Sequence, residues 1–158
     1  MIQRIQTVFL FLAFLAAVAL FFFPLAGIYS NTTAYKFFIY ELRNMVPGEG
    51  SIFSFMTTFP LLLLNILASA ISLICIFLYK NRVLQAKLVR VAILTDIILI
   101  ALVFFVYAQI IEKNLLASPN YLDETGIYFP LISLVFLILA NRAIMKDEKL
   151  VRSVDRLR

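Results

Sequence analysis

Lys80-Asn81-Arg82-Val83-Leu84-Gln85-Ala86-Lys87-Leu88-Val89-Arg90 holds four basic residues and no acidic one, and it divides two apolar runs, Phe59 to Tyr79 and Val91 to Ile111. Basic residues in short loops stay on the cytoplasmic side when a chain inserts into a bilayer. The stretch therefore reads as the turn between two membrane spans, and it predicts which side that turn occupies.

Composition supports a lipid environment. The 158 residues are 63% hydrophobic and 15% charged, with a mean hydropathy of +0.99. A soluble domain is about 45–50% apolar and about 25% charged. The 16 Phe and 7 Tyr fit rings packed in a bilayer or seated at its interface. His is absent, which removes the commonest general base and metal ligand. Cys75 is the single cysteine, so neither an intramolecular disulfide nor a thiolate metal site is available. No cofactor is expected.

A helix needs about 20 apolar residues to cross roughly 30 Å of hydrocarbon. Four runs meet this, near 5–27, 55–79, 88–111 and 125–144. Backbone amides in lipid must be bonded internally, which favours helices. A transmembrane barrel would show alternation, and Val8-Phe9-Leu10-Phe11-Leu12-Ala13-Phe14 shows none. The first run is too long for a signal-peptide core and ends in Phe-Phe-Phe-Pro, so it reads as a retained helix. The expected fold is all-α: four transmembrane helices in an antiparallel bundle, the fourth extended by a basic cytoplasmic tail helix over 145–158.

Orientation follows from the cations. Arg4, the Lys80–Arg90 stretch and the tail carry eleven of the 14 Lys and Arg; Lys36, Arg43 and Lys113 lie on the other side. Both termini should be cytoplasmic, in a bacterial inner membrane. The larger outer segment, 28–54, contains Asn31-Thr32-Thr33, a chance match to a glycosylation acceptor, and a turn at Pro47-Gly48-Glu49-Gly50. Its Tyr35-Lys36-Phe37-Phe38-Ile39-Tyr40 suits a strand or an interfacial helix. The second outer segment, 112–124, is a short loop with a turn signal at Ser118-Pro119-Asn120.

Few residues within the spans can carry chemistry. Asp96 is the one formal charge well inside a run, six residues or about 9 Å beyond Arg90. A carboxylate there costs about 2.5–3.5 kcal/mol on insertion scales, so it should face the protein interior. It reads either as a proton or ion site or, better at this depth, as the partner of a cation: Arg90, Lys87 or Arg142. Asn65, Ser69 and Ser72 share one face of the second helix, and small polar residues glue membrane helices together. By depth, Ser72 and Asp96 can meet. Pro24, Pro60 and Pro130 fall near helix ends, which gives no sign of a transporter's broken helices. Tyr29, Tyr79, Tyr107 and Tyr128 read as interface residues.

In the tail, Arg142, Lys146, Lys149 and Arg156 form a basic stripe beside Leu150, Val154 and Leu157, and Glu148 stands four residues before Arg152. Such a helix attracts anionic lipid or docks on a protein. No nucleic-acid motif accompanies it, so nucleic acid is not an expected partner.

Three stretches carry a resemblance: Met1-Ile-Gln-Arg-Ile-Gln-Thr7, Ile76-Phe-Leu-Tyr-Lys-Asn-Arg-Val-Leu-Gln-Ala-Lys-Leu88 and the segment from Leu139 to Arg158. Together they resemble a family of small four-span inner-membrane proteins from Bacteroidota, classed as a domain of unknown function. The resemblance implies that location and topology and no activity.

The expectation is a non-enzymatic accessory or scaffold subunit. Its working surface would be Arg4, Lys80, Arg82, Lys87, Arg90, Arg142, Lys146, Lys149, Arg152 and Arg156, and its partners lipid, another membrane protein or a second copy of the chain. The alternative is a small oligomeric carrier or channel using Asp96 with Asn65, Ser69 and Ser72. A membrane enzyme acting on lipid would need an acid–base pair that this inventory does not offer.

Overall fold

The computed structural model describes residues 3–29, 34–45, 55–79, 81–115 and 120–155. It is mostly helical, with α1 (Gln3–Ala19), α2 (Phe55–Phe77), α3 (Arg82–Ala101), α4 (Ala108–Leu115) and α5 (Tyr128–Asp155). A π-helical turn, Leu102–Tyr107, joins α3 to α4, and a 3-10 turn, Thr125–Ile127, precedes α5. Among the described residues, three stretches are long and apolar enough to cross a membrane: Phe55–Phe77, Arg82–Lys113 and Thr125–Val151.

Helix limits follow local chemistry. The start of α3 lies six residues before the expected 88 because Asn81 caps it, its Oδ1 accepting from Leu84 N at 3.2 Å. The fourth run continues as helix to Asp155, so the tail extends α5 as expected. The first run does not stay helical to residue 27. With 17 residues, α1 is about 25 Å long. Pro24 donates no backbone hydrogen bond and disfavours helix at Phe23 before it, so the chain turns and enters a strand. Pro24 thus follows α1 instead of closing its last turn, and Pro60 is the sixth residue of α2.

The all-α expectation is corrected by a four-stranded antiparallel sheet, β1 (Ala26–Tyr29), β2 (Ala34–Phe37), β3 (Leu42–Asn44) and β4 (Asn120–Asp123), in the order β3-β2-β1-β4. Within Tyr35–Tyr40 the strand alternative holds as far as Phe37: Tyr35 and Phe37 are buried while Lys36 between them is not, the period of two of a half-buried strand. The second outer segment contributes β4, which pairs with β1 from Ala26–Asp123 to Tyr29–Asn120. Residues 30–33, including the Asn31-Thr32-Thr33 match, and 46–54, including the Pro47–Gly50 turn, lie outside the described residues.

The sheet lies over one end of the helices. Leu25, Ile28, Phe37, Ile39 and Leu42 pack with Leu20, Leu61, Leu99 and Tyr107 in one core cluster. Tyr107 is 3% exposed, stacks on Phe37 and donates its hydroxyl to the Thr57 carbonyl. It is therefore a core residue and not an interface one, unlike the exposed Tyr29, Tyr79 and Tyr128. Thr58 Oγ1 donates to the Tyr40 carbonyl at 2.7 Å and ties α2 to the strand segment. Gly126 N donates to the Pro24 carbonyl at 3.0 Å.

A second cluster lies toward the other end, with Leu10, Ala13, Cys75, Ala86, Val89, Ala92, Leu137, Ala140 and Ile144. Its alanines let helix backbones approach closely. In this packing α1 touches α2 and α5, and α3 touches the same two helices. Large apolar side chains point outward, among them Phe105 at 71% and Leu94 at 58% exposed. That is too much apolar surface for an aqueous boundary, and it is what lipid contact requires.

Candidate functional site

At the end opposite the sheet, buried polar side chains join the helices. Gln85 is buried at 3% exposure, and its Nε2 donates to the Cys75 carbonyl at 2.9 Å. This bond clasps the α2–α3 turn. Gln6 is buried too, and its Nε2 donates to the Ala143 carbonyl at 3.2 Å, joining α1 to α5. Arg82 Nη1 stands 3.6 Å from Asp147 Oδ2, with side chains 26% and 11% exposed, and links α3 to α5. The Lys80–Arg90 stretch thus meets the start of the tail helix in space.

That ion pair has a testable cost. Removing Arg82 leaves Asp147 nearly buried, with no other cation within ion-pair distance among the described residues. An unpaired carboxylate of this burial costs about 1–3 kcal/mol. Arg82→Ala should therefore lower the melting temperature in detergent, and Lys87→Ala, an exposed cation with no ion pair among the described residues, should not.

Between α3 and α5 lies a cleft of about 280 Å³. Val83, Ala86 and Met145 form its apolar wall, and Lys87, Arg90, Glu148 and Lys149 line it with charge. The Arg90 guanidinium donates to Met145 Sδ at 3.8 Å. Of the surface residues expected from sequence, the structure brings Lys87, Arg90 and Lys149 to this cleft and gives Arg82 to Asp147. Arg142 and Lys146 are exposed on α5 beside it. The backbone places Arg4 on α1 and Arg152 on α5, while Lys80 and Arg156 lie outside the described residues, as does Leu157 of the apolar stripe.

The intramembrane set does not converge on one path. Asn65 Nδ2 donates to the Ala17 carbonyl at 3.0 Å, and so joins α2 to α1. Ser69 donates to Ile66 O at 2.9 Å and Ser72 to Ala68 O at 2.7 Å, both within α2. Ser133, on α5, hydrogen-bonds the Asp96 carboxylate. The expected cation partner is corrected: Asp96 pairs with none of Arg90, Lys87 and Arg142. Six residues turn a helix by about 600°, so Asp96 points about 120° away from Arg90. It falls instead on the buried face with Val89, Ala92 and Leu99, which packs inside the protein. Asp96 Oδ2 is buried without a hydrogen-bond partner among the described residues.

Sequence reasoning missed Gln6, Gln85, Asp147 and Ser133. Ser133 had a signal, as an isolated polar residue in the fourth apolar run. Gln85 sits among basic residues, and Gln6 stands two residues after Arg4 at the edge of an apolar run, so neither is marked locally as buried. Asp147 is one acid among several charges of the tail, and nothing local marks it as buried.

Fold and site together define a mostly helical protein with stretches long and apolar enough to cross a membrane, a sheet at one end and a basic cleft at the other. A family model described as a domain of unknown function (DUF4293) matches residues 2–157. The chain belongs to that family. No curated protein matches the chain.

Proposed function

We propose that the chain is a non-enzymatic integral protein of a bacterial inner membrane, a four-helix bundle that serves as an accessory or scaffold subunit. In this reading α1 is the fourth span, both termini are cytoplasmic, and the basic end is the docking surface for a membrane-protein partner or a second copy of the chain. One observation carries it: cations from α3 and α5 converge at a single end, whereas the polar side chains between the ends are mostly spent on backbone carbonyls. Eleven of the 14 Lys and Arg belong to segments assigned to that end.

Two measurements test this. Reporter fusions after Arg158 should be active in the cytoplasm; periplasmic activity would overturn the orientation. Charge reversal at Arg152 and Arg156 should release a partner that co-purifies with the natural chain in mild detergent. An unchanged set of co-purifying proteins would count against a docking role.

A second reading, a small oligomeric carrier or channel, draws on Asp96, whose Oδ2 lies buried without a hydrogen-bond partner among the described residues. Several copies around an axis would gather several such carboxylates. Against it stands the use of Asn65, Ser69 and Ser72 in backbone hydrogen bonds.

A further inference from the structure

We propose that the cleft between α3 and α5 seats the headgroup of an anionic phospholipid, with the phosphate held by Lys87, Arg90 and Lys149. This rests on the reading of the basic end as a surface at the membrane boundary, and it names a ligand for that surface. Lys87 and Arg90 are three residues apart and share a face of α3. Lys149 comes from α5, so the three cations surround a space of about 280 Å³ instead of lining one ridge. None of the three is engaged in an ion pair among the described residues, whereas Arg82 close by is held by Asp147. A guanidinium beside two ammonium groups suits the oxygens of a phosphodiester.

Charge sets the kind of headgroup. Glu148 also lines the cleft, so the four charged groups there sum to two positive charges. That balance suits a phosphodiester, which carries one negative charge. The apolar surroundings set the rest of the molecule. Val91, Leu94 and Ile98 continue along α3 from Lys87 at helical spacing, and all three are exposed. On α5 the same spacing from Lys149 passes Arg142 and then reaches Ile138 and Val135, both exposed. The cleft therefore opens where two apolar ridges end, and acyl chains can lie against them while the phosphate sits below. A soluble phosphate would use the cations and leave those ridges idle. Basic pockets between membrane helices bind anionic headgroups on this pattern.

The test is native mass spectrometry of the full chain in mild detergent, titrated with phosphatidylglycerol and, separately, phosphatidylcholine. Phosphatidylglycerol should be retained preferentially. The variant K87Q/R90Q/K149Q should lose that preference, at about fivefold in apparent affinity per cation. K113Q, which removes an exposed α4 cation away from the cleft and the basic end, should keep it. Equal losses in both variants would mean diffuse attraction and would overturn the site. Competition by free glycerol phosphate at the lipid's own concentration would assign the cleft to a soluble ligand and overturn the lipid. Should the triple variant fail to fold, Lys149→Gln alone tests the same point at an exposed position. Unchanged binding in the variants, with cytoplasmic reporter activity and the co-purifying partner retained, would sink the lipid site and leave the docking surface standing.

Discussion

Gly126→Ala is expected to be the most damaging single-methyl substitution among the described residues. Gly126 lies in the 3-10 turn before α5, and its N–H donates to the Pro24 carbonyl at 3.0 Å. A Cβ at this position would fall 2.2 Å from Pro24 O, 2.6 Å from Pro24 C and 2.8 Å from Phe23 O. All three atoms are backbone, so no rotamer change relieves the clash. Either the turn after α1 or the start of α5 must shift, and the β1–β4 pairing flanked by these two segments shifts with it. Overpacking of this kind costs about 1–3 kcal/mol, and the backbone location places it at the upper end. For a chain of this size that corresponds to a fall of roughly 6–12 °C in melting temperature. Gly27→Ala is the control. Its Cβ would meet Tyr29 Cε2 at 3.1 Å and Glu124 Oε1 at 3.2 Å, both on side chains able to move. A melting temperature for Gly126→Ala within 2 °C of the natural chain would contradict the close approach, taking roughly 2–4 °C per kcal/mol.

The second large effect concerns Asp96 and Ser133. Ser133→Val should destabilise by about 1–3 kcal/mol, because a buried carboxylate then loses its hydroxyl donor. Asp96 is 2% exposed and Ser133 1%, so water cannot readily replace that bond. Asp96→Val in the Ser133→Val background should recover most of the loss, since replacing both partners by apolar groups of similar shape is nearly neutral. The two substitutions should thus be non-additive by about 0.5–3 kcal/mol in a double-mutant cycle. The cycle is read by thermal unfolding in detergent, and additive losses would show that the two groups do not depend on each other. Asp96→Asn separates the two functional readings. A subunit that uses Asp96 to hold α3 against α5 should keep its partner and its stability. A carrier should lose proton or ion flux in reconstituted vesicles.

How far local sequence reaches is visible in particular residues. The helices Phe55–Phe77, Arg82–Ala101 and Tyr128–Asp155 follow from runs of some twenty apolar neighbours, a property of one window of chain. Asn81 marks the start of α3 by its own side chain. The strand Asn120–Asp123 has no such mark, because its hydrogen-bond partner Ala26–Tyr29 lies more than ninety residues away. Four residues that read as a loop become a strand when another edge comes beside them. Tyr107 shows the same limit. Its position near the end of an apolar run suggests an interface residue, and the sheet that buries it is built from another part of the chain.

Composition and the placement of Lys and Arg were enough to foresee apolar helices, the basic end and the helical tail, because hydration and helix formation are decided by neighbours along the chain. The partners were not foreseeable in the same way. Arg82 with Asp147, Ser133 with Asp96 and the cleft shared by Arg90 and Lys149 depend on how α5 is rotated against α3. That rotation is set by close packing around Val89, Ala92, Leu137 and Ala140, in which small residues choose the contact face, and no single stretch of sequence contains it.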